Sequence, residues 1–182
     1  MINLKKCFVD LFAGALSTKR HPLACNRLGI EYLESRRLLA TIPVTLAVDA
    51  QFNTDTDNGI TLREAVRYIN GEIADPGDLA LIDFSNGGWG TNDTIVFDLP
   101  MGVDTIDLDF GEIGIERSVT IDGTDGNGVS LGITIDANNG SRIFNIDSGL
   151  SVTQEIVISG LTFTRGNTID AAGGGAIASR AA

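Results

Sequence analysis

The feature that most constrains this chain is a run of very short apolar strands, each closed by an Asp, Asn or Gly turn. Val119-Thr120-Ile121 is followed by Asp122-Gly123, and Ile133-Thr134-Ile135 by Asp136-Ala137-Asn138-Asn139-Gly140. Ile143 to Ile146 precedes Asp147-Ser148-Gly149; Ile156-Val157-Ile158 precedes Ser159-Gly160; Leu161-Thr162-Phe163 precedes Thr164-Arg165-Gly166-Asn167. A strand of three residues is not stable alone and has to stack on others like it. The economical arrangement is an all-β coil, a parallel β-helix in which each turn pairs with the turns above and below. At roughly 22 residues per turn, residues 93–182 hold about four turns.

Charge is distributed unevenly. The formal net charge is −11, yet residues 1–40 carry seven Lys or Arg against Asp10, Glu31 and Glu34, so the rest carries −15. Such an acidic body repels nucleic acid and attracts cations, so no nucleic-acid partner is expected. Cys7, Cys25 and His21 all lie in the basic leader. The body is therefore without histidine zinc sites and without Ser-His or Cys-His catalysis. No run of 18 apolar residues exists, so no transmembrane helix is expected.

Three segments follow: a basic leader or export region at 1–43, an N-terminal cap at 44–92 with a helix at 61–70, and β-helix rungs at 93–182. Arg36-Arg37, the apolar run Leu38 to Ala47, and small residues near Val48 and Ala50 have the physical logic of a secretory signal. Val48-Asp49 is an alternative start for the first strand. Leu33-Glu34-Ser35-Arg36-Arg37-Leu38-Leu39 resembles the LEPR-XLL motif near the start of large exported proteins of planctomycete-type bacteria, with Ser35 where that motif has Pro. The resemblance implies a secreted or cell-envelope protein.

Thr61-Leu62-Arg63-Glu64 is a capping box, in which the Thr61 hydroxyl and the Glu64 carboxylate each serve the other's amide. Leu62, Ala65, Val66 and Ile69 then make one apolar stripe, and Asn70-Gly71 stops the helix. A helix this short has to dock, and the open end of a coil needs such a cover. Residues Asp57 to Val66 resemble the CSLREA-type segment that opens many bacterial right-handed β-helix surface proteins. Residues 92–100, 141–146, 158–167 and 173–177 resemble that family's later strands in order. The resemblance implies a pectin-lyase-like right-handed parallel β-helix.

Several constellations carry candidate chemistry. Asn53, Asp55, Asp57, Gly59, Thr61 and Glu64 fall at the ligand spacing of a calcium loop, although the turn glycine is one place late and Glu64 also serves the capping box. In Asp104 to Phe110, alternation places Asp107 and Asp109 together on an outer face, as metal ligands for calcium, as an acid and base pair for sugar cleavage, or as solubilising carboxylates. Pectate lyases of the resembled family place a basic residue beside their calcium-binding acids, and Arg117 is the nearest candidate by sequence; related polygalacturonases use Asp with a His that this body does not have. Asp122, Asp136 and Asp147 read either as a stacked carboxylate ladder or as turn starters bonding the backbone two residues on. The glycines at 173–175 are a bend without phosphate-loop spacing. Trp89, between Gly88 and Gly90, either stacks on a sugar ring or folds over the core.

No catalytic residue set emerges. The expected function is an exported, adhesin-like or glycan-contacting surface protein with an extracellular polysaccharide as partner. The alternatives are a polysaccharide lyase or hydrolase, and a non-functional N-terminal fragment of a longer β-helix protein.

Overall fold

The computed structural model describes residues 39–50, 59–85, 89, 92–147, 155–168 and 175–180. Ten strands and two helices are described: β1 (Thr41–Val44), α1 (Leu62–Asn70), α2 (Pro76–Leu79), β2 (Asp93–Phe97), β3 (Thr105–Asp107) and β4 (Ile113–Ile115) come first. They are followed by β5 (Val119–Asp122), β6 (Thr134–Asp136), β7 (Phe144–Asp147), β8 (Ile156–Ser159), β9 (Thr162–Thr164) and β10 (Ile177–Arg180). The architecture is mostly β, and every pairing between the described strands is parallel.

From β2 onward the chain visits three sheets in strict rotation. The sheet orders are β1-β2-β5-β8, β3-β6-β9 and β4-β7-β10. Register aligns like with like: Ile42, Ile95, Ile121 and Ile158 form one interior row, and Ile106, Ile135 and Phe163 another. Ile42, Ile95, Ile106, Ile121 and Ile135 are fully buried. Each such side chain contributes about 1.5–3 kcal/mol by leaving water, which is what holds strands too short to persist singly. Phe144 meets Phe163 edge to face at 5.8 Å, joining two sheets across the interior. The opposite face carries a polar row, Thr105, Thr134 and Thr162.

The sequence-based turn length needs correction. Asp93 aligns with Val119, 26 residues on, and Val119 with Ile156, 37 residues on. Three circuits are described where four were expected. One reason is the excursion between β5 and β6, folded on itself by an antiparallel bridge from Thr124 to Ser130. Adjacent circuits approach closely at Gly123 and Gly160. A Cβ on Gly160 would lie 2.7 Å from the Gly123 carbonyl carbon, and Gly160 has φ +67°, so only glycine fits both demands.

The boundary expected at residue 43 falls within a strand. Thr41 to Val44, expected within or at the edge of an export segment, is strand β1, with Ile42 and Val44 fully buried against β2. The same apolar run has the composition of a signal core and of a buried strand. The Ala40 N–H donates to the buried Asp93 Oδ1 at 2.8 Å, and Thr41 exchanges two backbone bonds with Asp83 at 3.0 and 2.9 Å. Residues 33–38 of the LEPR-XLL resemblance lie outside the described residues, as do Gly173 and Gly174.

Helix α1 forms as its capping box requires. Thr61 Oγ1 accepts from the Glu64 N–H, and Glu64 Oε2 accepts from the Thr61 N–H at 3.0 Å. Gly71, at φ +103°, closes the C-terminus by donating to Tyr68 O while Glu72 N donates to Arg67 O. Leu62, Ala65, Val66 and Ile69 are buried, and the helix packs against β1, β2 and β4. Helix α2 was not anticipated. It is one turn, started by Asp75, whose Oδ1 accepts from Gly77 N at 2.8 Å.

Candidate functional site

Three polar assemblies lie on this frame. The first joins the cap to the edge of the sheet that begins with β4. Asp49 Oδ1 accepts from Arg63 Nε at 2.7 Å, and Oδ2 accepts from Arg63 Nη2 at 2.9 Å. The same Oδ2 accepts from the backbone N–H groups of Asp109 and Phe110, at 2.9 and 3.0 Å. Arg63 also donates to the carbonyls of Gly111 (2.6 Å) and Glu112 (3.1 Å). One helical face further on, Asn70 Nδ2 donates to Gly114 O and its Oδ1 accepts from Glu116 N, at 2.9 and 3.0 Å. Side chains thus stand in for a missing strand along residues 109–116, so the edge is not left as a template for association. Arg63 and Glu64, named from sequence as cap residues, are both buried here; Asp49 was missed as a partner because no local pattern marks it.

The second assembly is electrostatic. Register places Asp107 of β3 beside Asp136 of β6. Arg165 approaches Asp136 closely, Nε lying 2.7 Å from both carboxylate oxygens and Nη2 2.6 Å from Oδ2. Its Nη2 is also 3.6 Å from Asp107 Oδ1. Arg165 stands at φ +49°, an uncommon conformation for a residue with a side chain. The Arg165 hydrogen bonds, first among the causes, hold the Asp136 carboxyl below the ordinary 3.8, against an opposing effect of burial. The basic residue beside these acids is therefore Arg165; Arg117, the sequence candidate, lies instead against Gly71.

Asp107 and Asp109 are both exposed, as the alternation predicts, but β3 ends at Asp107. Asp109 lies beyond the strand and engages Asp49 through its backbone. Among the described residues, no three His, Cys, Asp or Glu side chains gather into a metal-binding group. The carboxylate ladder is overturned, because Asp122, Asp136 and Asp147 belong to three different sheets. Asp122 and Asp136 act as turn starters, accepting from Thr124 N at 3.0 Å and Asn138 N at 2.8 Å. Of the calcium-loop spacing, Asn53, Asp55 and Asp57 lie outside the described residues, and Thr61 and Glu64 bond to one another.

The third assembly is a cleft of about 340 Å³ beside the C-terminal end of α1. Its lining includes Gly71, Glu72, Ile73, Leu79, Trp89 and Arg117. Trp89 is 43% exposed, and its ring meets Phe84 in a T-shaped contact at 5.3 Å. Tyr68, which also lines the cleft, donates its hydroxyl to the buried Asp78 carboxylate. Burial raises the Asp78 carboxyl above its ordinary value, and the Tyr68 phenol is also raised, burial again foremost. Neither α2 nor this pairing was legible in sequence; the lone Trp was the only local signal for the cleft.

No helix among the described residues is long and apolar enough to cross a membrane. No family profile, curated protein or solved structure matches the chain.

Proposed function

We propose that this chain is a right-handed parallel β-helix of the CSLREA-like kind, exported to the cell surface or envelope, where it acts as a non-catalytic, adhesin-like or glycan-contacting scaffold. The observation that carries the reading is the strict rotation of the chain through three parallel sheets. Returning to the same sheet in parallel after each circuit is a crossover connection, and such connections are overwhelmingly right-handed. The outcome is a stack that displays polar rows such as Thr105, Thr134 and Thr162 at strand spacing, suited to contact along an extended polymer.

A non-catalytic role is favoured by how the conspicuous acids are used. Asp136 is ion-paired with Arg165 and engaged in a turn, and Asp49 is bound to Arg63 and two backbone amides. General acid–base work on a glycosidic bond needs carboxyls facing a substrate, with ionisation tuned for proton transfer.

Two measurements test the reading. The full chain, tagged and produced in a bacterium with an export apparatus, is expected in the envelope or medium; retention in the cytoplasm counts against export. A glycan array is expected to show binding without turnover. Release of new reducing or unsaturated ends from pectate, alginate or neutral polysaccharides in the presence of calcium would overturn the non-catalytic assignment.

A further inference from the structure

We infer that the Trp89 cleft is a binding site for the neutral pyranose ring of a glycan. This rests on the glycan-contacting role proposed above and specifies where the contact is made and with what class of sugar.

Three observations carry it. First, the Trp89 indole is 43% exposed and its ring packs on Phe84, giving an apolar plane of the kind that packs on the C–H face of a sugar. Second, the neighbouring Arg117 guanidinium lies against the Cα of Gly71, where a Cβ would sit 2.7 Å from its Nη2. Arg117 is exposed and makes no hydrogen bond or ion pair with the described residues, so its planar fork of donors is available to vicinal hydroxyls. Third, the cleft volume of about 340 Å³ is of single-ring scale, near the lower end of small-molecule sites.

Charge selects the class. Within the cleft Arg117 is offset by Asp93, and Glu72 is paired with Arg67 at 2.8 Å. The site is balanced while the chain around it carries −11, so an anionic sugar is opposed by the surrounding field and a neutral one is not. Roles follow from what is already committed. The Tyr68 hydroxyl is bonded to Asp78, and Asp93 Oδ1 accepts from Ala40 N, so these two build the wall and floor. Trp89 stacks, Arg117 donates to hydroxyl oxygens, and Glu72 accepts from a hydroxyl.

The chain contains one tryptophan, so its fluorescence reports on this cleft alone. The full chain is titrated with neutral oligosaccharides (cello-, manno-, xylo- and galacto-oligomers) and with oligogalacturonate and oligomannuronate. Calorimetry is run in parallel on the parent chain and on Trp89→Ala, Trp89→Phe and Arg117→Ala. Circular dichroism and melting confirm that each variant folds.

The expected result is a fluorescence change with at least one neutral oligomer, weakened about tenfold by Arg117→Ala. Trp89→Ala should abolish the calorimetric signal, and Trp89→Phe should keep part of it. Uronate binding at Trp89 without neutral binding overturns the assigned class. Calorimetric binding that leaves the fluorescence and the Trp89→Ala variant unchanged overturns the site while the glycan-contacting role stands. Silence with every glycan, by both methods, removes that role as well.

Discussion

Asp49 and Arg63 are joined by two hydrogen bonds, at 2.7 and 2.9 Å, and their side chains are 1% and 10% exposed. Neither group is left with a bare charge, because the pair also binds the backbone at Asp109, Phe110, Gly111 and Glu112. Removing one partner strands the other in the interior. Arg63→Ala and Asp49→Ala are each expected to cost about 3–5 kcal/mol. The double variant Asp49→Ala/Arg63→Ala should cost less than the sum of the two singles. Urea unfolding of the four proteins measures this, and simple additivity would contradict the coupling.

The capping box makes a smaller prediction on the same helix. Thr61→Ala removes the hydroxyl that serves the Glu64 amide and is expected to cost about 1 kcal/mol. Thr61→Ser keeps the acceptor and should lie close to the parent. Urea midpoints distinguish the two, and equal losses would mean that the Thr61 methyl, not its oxygen, matters.

Acid stability should depend on two carboxyls with opposite signs. Asp136 has its folded-state ionisation below the ordinary 3.8, so its contribution is fully present above 3.8 and is lost as pH falls through the lower folded value. Asp78 is raised by burial, so the fold loses stability as pH climbs from 3.8 through the raised value. Asp136→Asn should flatten the pH profile below 3.8, and Asp78→Asn should flatten it just above. Denaturant unfolding across the acid range reads both slopes.

Calcium should leave the melting temperature of the parent chain unchanged, since the adjacent Asp107 and Asp136 already share the Arg165 guanidinium. Arg165→Gly removes that cation while permitting the backbone φ of +49°. This variant is expected to melt lower without calcium and to regain stability when calcium is added. A calcium-induced shift in the parent would show instead that cations bind despite Arg165.

What could be read from the sequence was what is local or periodic. The Thr61–Glu64 box lies within one helical turn, and Asp122 and Asp136 bond amides two residues away. The aliphatic triplets announced stacked strands because period-two burial repeats in each. What could not be read depends on neighbours brought together by winding. Asp49 reaches Asp109 across 60 residues, and Asp136 meets Arg165 across 29, one circuit away. Strand β1 was hidden because basic residues followed by an apolar run describe a signal as well as a buried strand. Strand β4, Ile113-Gly114-Ile115, is too brief to stand out. At the cleft, Trp89 could be marked in the sequence, but Arg117 joins it only through placement beside Gly71.

The spacing of the in-register pairs has a consequence for how the molecule is made. The shortest separation between paired strands among the described residues is the 26 residues from Asp93 to Val119, so no two of the described strands form a hairpin. A nascent chain therefore emerges as an unpaired thread until a whole circuit is out, and its contacts accrue late and slowly. The Asp49–Arg63 clasp precedes the described circuits but needs Asp109 to Glu112 to be complete, which ties the first of those circuits to a pair of residues made before it.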